Sequence, residues 1–108
     1  MESPLDKLKR MTAWETEPAL SEDDLNAALG TAPVPDLNGN TPTDEEWIPT
    51  YNLNAAAAEA WLVKAARASA LVEIDPPGSG ITSSRVYDNC REMARVYRSR
   101  GNATVSVR

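Results

Sequence analysis

Apolar side chains recur every three or four residues in four stretches of the chain, and each stretch opens on a helix-start signal. Ser3 followed by Pro4 sets an N-cap and an N1 proline, with Asp6 at N3, and Leu5, Leu8 and Met11 or Thr12 continue one face. This predicts a short first helix ending near Ala13 or Trp14. Ser21-Glu22-Asp23-Asp24 is a capping box with Asp in place of Glu, and Leu20 and Leu25 hold the two positions of a hydrophobic staple. Leu25, Ala28 and Leu29 carry that face to Gly30, the expected left-handed terminator. Asn52 or Asn54 opens the longest helix, which Asp75-Pro76-Pro77 stops after about Ile74. Its apolar positions run nearly all the way round, with Leu53, Ala57, Trp61, Ala68, Leu71 and Val72 on one side and Leu62, Val63, Ala66 and Ala70 on others. Such a helix is expected to be surrounded, by its own bundle and by another subunit. Thr82 caps the last helix, with Ile81 and Val86 as its staple, and Gly101 closes it. Along it Val86, Tyr87, Cys90, Met93, Ala94 and Tyr97 fill one arc, with Arg91, Arg95 and Arg98 together beside that arc.

The intervening segments read differently. From residue 31 to residue 51, Pro33, Pro35, Asn38, Gly39, Asn40, Pro42 and Pro49 predict a long proline-rich loop, in which Thr43-Asp44-Glu45-Glu46 is expected to cap a single turn. After Gly101, Val105 and Val107 alternate with small polar residues, the period of a strand. The resulting expectation is an all-α fold. It is a small bundle of about four helices over residues 1–101, with a loop-rich insertion at 31–51 and an extended C-terminal tail at 102–108. Seven residues form no sheet alone, so the tail is expected either to add to a partner's sheet edge or groove, or to be a disordered end.

Composition narrows this picture. Leu, Ile and Val supply only 19 of 108 residues, there is no Phe, and 16 residues are Ala. A domain of this size buries only roughly 60 to 70% of its unfolded surface, so a marginal monomer that gains stability as an oligomer or docked component is expected. Without His there is no imidazole base, and a single Cys makes no internal disulfide or Cys-rich zinc site. No apolar run reaches a membrane span, since Ala55 to Ile74 carries Glu59, Lys64, Arg67 and Glu73. The N-terminus lacks an apolar signal core, and a non-secreted chain is expected. Charge is split: residues 1–54 carry net −8 and residues 55–108 net +3, a polarity suited to head-to-side contacts between copies.

Few residues suggest chemistry. Asp36, Asn38 and Asn40 match the first oxygen positions of a calcium loop, but Thr41 stands where Gly is needed and Trp47 where a bidentate Glu is needed. Turn-forming Asx chemistry accounts for the same residues. Glu15, Glu17, Glu22, Asp23 and Asp24 read as structural before they read as a paired-carboxylate site, since three of them fall in a first helical turn where the dipole favours negative charge. Cys90 reads as a buried small hydrophobe, and Trp14, Trp47 and Trp61 as core bulk. No catalytic residue, cofactor or metal is expected. The group Arg91, Arg95, Arg98 and Arg100 has three readings: nucleic-acid phosphates, the acidic half of an adjacent subunit, or solvated charge. An overall pI near 4.6 argues against DNA binding as the main task.

The order of segments carries a resemblance. Glu17-Pro18-Ala19-Leu20-Ser21 with Asp24-Leu25 comes first, then Tyr51-Asn52-Leu53-Asn54 running through Ala55 to Trp61 with Lys64-Ala65-Ala66. Ser84-Arg85-Val86-Tyr87-Asp88-Asn89-Cys90 follows, with Met93-Ala94 and Tyr97. The whole resembles the small head-to-tail adaptor proteins of long-tailed bacteriophages. That resemblance implies a helical ring subunit, typically in twelve copies, in the virion neck and assembled in the host cytoplasm. The ring docks beneath the portal, extends the channel through which DNA passes without sequence recognition, and meets the stopper or tail-completion protein below. It implies no enzyme, cofactor or membrane. The residues expected at interfaces are Arg91, Arg95, Arg98, Asp23, Asp24, Ala57, Ala66, Val105 and Val107. The rival reading is a small helical regulatory or DNA-associated protein using the Arg face. The stretch Asp75 to Ile81 is too long for the turn of a helix-turn-helix.

Overall fold

A computed structural model describes the backbone of residues 3–74 and 80–106 and the side chains of residues 3–70 and 85–101. It is an all-α bundle of four helices: α1 (Pro4–Thr12), α2 (Glu22–Gly30), α3 (Leu53–Ile74) and α4 (Gly80–Ser106). α3 and α4 run antiparallel as a long pair, and α1 and α2 pack on α3. The antiparallel register follows from Arg98 meeting Glu59 and from Gly101 lying against the backbone of Ala55.

Three of the four helix starts are those their sequences dictate. Ser3 and Asp6 exchange side-chain-to-backbone bonds across the first turn of α1, and Ser21 and Asp24 do the same for α2. The staple residues Leu20 and Leu25 are both buried. Asn52 caps α3, its Oδ1 accepting from the amide of Ala55 at 3.1 Å. α1 ends at Ala13, which takes the left-handed conformation with φ 46°.

Several expected ends fall elsewhere. Gly30 is the last residue of α2 and is not left-handed, because Thr31 finishes the helix with its amide and hydroxyl both donating to the carbonyl of Ala28 (3.1 and 2.7 Å). The turn in the loop is capped two residues early: the Thr41 amide donates to Asp44 Oδ2 at 2.7 Å, so Thr43 caps nothing. α4 is already helical at Gly80, placing Thr82 inside its first turn rather than before it. At the other end α4 continues through Gly101 to Ser106, and no strand forms among the described residues. Pairing with α3 overrides the local stop signal there. Val105 lies on helical backbone, and Val107 and Arg108 lie outside the described residues.

Two groups of buried side chains form the core. Leu8, Leu20, Leu25, Ala28, Leu29 and Ala32 close on Ala56, Ala57 and Ala60 of α3, while Trp61 and Ala65 meet Cys90 and Ala94 of α4. Alanines on α3 let three helices approach it closely, as expected for a chain poor in large apolar residues. Ala57 is fully buried. The chain's own bundle covers α3 only in part, leaving Ala66, Arg67 and Ala70 exposed.

The loop at 31–51 is pinned rather than loose. At its base Pro33 and Tyr51 form an isolated antiparallel bridge, with the Val34 amide donating to Thr50 O and the Asn52 amide to Ala32 O, both at 2.9 Å. Trp47 stacks edge-on against Tyr51, and its indole N–H donates to Val34 O at 2.9 Å. Asp36 holds the tip: its carboxylate accepts the amides of Asn38, Asn40 and Ile48 at 2.9 to 3.0 Å. These donors hold the Asp36 carboxyl below its usual range, the Ile48 amide most strongly.

Candidate interaction site

The arginine face of α4 lies where the amphipathic pattern places it. Arg91, Arg95 and Arg98 are all exposed, and with Leu62 of α3 and Ala94 they line a groove of about 350 Å³ along the α3–α4 pair. Each has an intramolecular neighbour. Arg91 donates to the Tyr87 hydroxyl at 3.1 Å with its guanidinium 5.9 Å from that ring, Arg95 pairs with Glu92 one turn away, and Arg98 reaches Glu59 of α3 at 3.3 Å. The pairing with Arg95 lowers the Glu92 carboxyl and raises the guanidinium. All are exposed contacts of small individual worth, so the face stays available to a larger partner.

The acidic residues of the first half are distributed otherwise than a single docking patch requires. Asp24 is occupied twice over, by the capping box and by a two-pronged ion pair with Arg67 of α3 (2.8 and 3.1 Å). The Arg67 guanidinium, and next the Ser21 amide, hold the Asp24 carboxyl far below the usual carboxylate range. Glu22 pairs with Lys9. Asp23 is exposed at the first turn of α2. Within one chain, then, α2 is electrostatically tied to α1 and α3, and the arginines of α4 are tied to α3 and to their own helix.

Sequence reasoning missed Lys64. This lysine is only 2% exposed, and its ammonium donates to the carbonyls of Ala13 (2.8 Å) and Thr16 (2.9 Å) while lying 5.0 Å from the ring of Trp61. Trp61 and Arg67 flank it on the same face of α3. The Trp61 indole N–H donates to Met11 O at 3.1 Å and Arg67 Nη1 to Ala19 O at 3.0 Å. Three donors spaced three residues apart thus hold the last turn of α1 and the connection from it to α2. The available signal was that Lys64 stands between Trp61 and Ala68 on an otherwise apolar stripe.

A second cavity of about 350 Å³ opens beside Lys64, bounded by Trp61, Val86 and Cys90, with Glu17 and Arg85 among its lining residues. Burial pushes the Lys64 ammonium down and the Cys90 thiol up, and the nearby ammonium only partly offsets the latter. A buried thiol raised in this way is a poor nucleophile. Among the described residues no group of three His, Cys, Asp or Glu is placed to hold a metal ion, and no helix is long and apolar enough to cross a membrane.

Comparison with protein-family models, with curated proteins and with solved structures found no match to this chain.

Proposed function

We propose that this protein is a structural subunit of a bacteriophage neck, a head-to-tail adaptor. On this reading its copies form a ring, twelve in the usual case, that docks on the portal. The ring extends the DNA channel and offers its far side to the stopper or tail-completion protein. The observation that carries the reading is the use made of polar chemistry among the described residues. Asp24, Arg67, Lys64 and Asp36 are spent on holding elements together, while two unlike faces stay exposed, the arginines of α4 and the loop acids Asp44, Glu45 and Glu46. Two unlike faces on one chain suit the heterologous contacts of a ring.

The test is to mix the purified chain with portal-bearing capsids and image the vertex. An added ring of density below the portal is the expected result. Capsids that retain no chain at any salt concentration would overturn the proposal. The exposed Arg91, Arg95 and Arg98 favour one rival, a DNA-associated module, and it makes a different prediction: binding of the isolated chain to duplex DNA with a steep salt dependence.

A further inference from the structure

The loop at 31–51 presents what a docking element needs. Leu37 is completely exposed and Ile48 is 59% exposed. Both belong to the segment that Asp36 organises, Leu37 as its neighbour in sequence and Ile48 through the amide that binds its carboxylate. Two large aliphatic side chains are therefore held outward on a backbone that the Asp36 carboxylate, the Thr41–Asp44 cap and the Trp47 indole already fix. Little conformational freedom remains to be lost on binding, which is the advantage of a pre-organised contact. Asp36, Asp44, Glu45 and Glu46 give the loop a charge of −4, with no Lys or Arg between residues 31 and 51.

The groove of the α3–α4 pair has the opposite character. The half-buried Leu62 and buried Ala94 line it together with the exposed Arg91, Arg95 and Arg98. Two acids share it, Glu92 in an exposed pair with Arg95 and Asp88 one turn before Arg91 and Glu92, so three arginines face two carboxylates. Of the three arginines, Arg91 has only a neutral hydroxyl and an aromatic ring among its described contacts. α4 as a whole holds five Arg against two acids.

We infer that the loop of one copy docks in the groove of the next, Leu37 and Ile48 entering over Leu62 and Ala94 while Glu45 and Glu46 face Arg91 and Arg95. The occupant of the groove is a second copy of this chain. The acidic partner of the arginines is then the loop rather than the first turn of α2, where Asp24 and Glu22 are already engaged by Arg67 and Lys9 and Asp23 alone remains. Loop and groove are different surfaces of one chain, so the contact is heterologous and propagates, closing into a ring if the rotation between copies permits. The inference deepens the ring reading proposed above and rests on it for that closure.

Sedimentation of the wild type, Leu37→Asp and Arg95→Glu chains, singly and mixed, tests it. Both substitutions fall on exposed side chains, and unchanged circular dichroism and melting would show that each variant folds. The wild type is expected to associate with rising concentration, less at 0.5 M salt, as charge screening requires. Each variant alone is expected to associate at least about tenfold more weakly. The decisive arm is the mixture. The Leu37→Asp chain keeps an intact groove and the Arg95→Glu chain an intact loop, so the two together should form a one-to-one pair and grow no further. A wild type that stays monomeric throughout, variants that associate as the wild type does, or a mixture that makes no pair would each overturn the contact. A chain that forms rings only on portal, indifferent to both substitutions, would remove the contact and leave the adaptor reading standing. Salt-sensitive loop-to-groove association with no affinity for portal would do the reverse.

Discussion

Replacing Lys64 with Met isolates the contribution of a buried ammonium, because Met keeps most of the aliphatic stem and removes the charge and its donors. Two charge-assisted bonds are lost, to Ala13 O and Thr16 O at 2.8 and 2.9 Å. Bonds of this kind contribute about 1.5 to 3 kcal/mol each. Two effects reduce the total. Ala13 and Thr16 are exposed residues, so water can replace the lost donors at their carbonyls, and the cost of desolvating the ammonium disappears with it. A net loss of about 1 to 3 kcal/mol remains. For a chain of this length that is a fall in melting temperature of roughly 4 °C per kcal/mol, read by circular dichroism at 222 nm. The loss should also be local. The amides of Thr16 and Leu20, which donate to Ala13 O and Trp14 O, should exchange with solvent faster, while amides in the middle of α3 slow or quicken only with global stability. Lys64→Ala should cost about 2 kcal/mol more, for the buried stem it deletes. A Met variant as stable as the wild type, with unaltered exchange at Thr16 and Leu20, would refute the argument and mark the buried charge as a net burden.

Three further outcomes are expected. The folded-state pKa of Asp24 lies below its ordinary value of 3.8, so its stabilisation is full above that pH and declines as the pH falls through the folded value. Asp24→Asn should therefore lower stability at pH 7 by about 1 kcal/mol or less, since Arg67 is partly exposed, and flatten the acid limb of a urea-midpoint profile. Gly101→Ala should stabilise by about 0.5 to 1 kcal/mol in thermal melts, because Gly101 is helical and a Cβ there would meet Ala55 N and Asn52 Oδ1 at an ordinary 3.4 Å; destabilisation would indicate a left-handed stop after all. Ala57→Leu should cost about 1 to 3 kcal/mol by overpacking a fully buried site, whereas Ala66→Leu, on an exposed site, should leave the melting of the chain unchanged.

What the sequence disclosed was whatever is decided within a turn or two of chain. The boxes at Ser3 and Ser21, the cap at Asn52, the staple of Leu20 and Leu25 and the turn chemistry of Asp36 are local exchanges between a side chain and nearby amides. They can be read from spacing alone. Gly101 was misread as an end because its decisive neighbours, Asn52 and Ala55, stand almost fifty residues away. The same distance hid the ties of the candidate surfaces. Asp24 has the features of a cap, and nothing in its vicinity announces Arg67, its partner from the middle of α3. The arginines of α4 were located correctly as a face, because amphipathic period is also local. The partner proposed for them had to come from the exposure of Leu37 and Ile48, which a proline-rich composition does not foretell.

The three donors along α3 have a consequence for how the chain tolerates change. Trp61, Lys64 and Arg67 grip the last turn of α1 and the connection from it to α2 through the oxygens of Met11, Ala13, Thr16 and Ala19. All four acceptors are main-chain atoms, and any amino acid at those places supplies the same oxygen. The information in the contact is therefore one-sided. Side chains between residues 11 and 19 are free to drift as far as this contact is concerned, while the three on α3 are not. Length obeys the opposite rule. One residue inserted in or deleted from the connection would move every later oxygen out of register with its donor, although no recognising side chain had been altered.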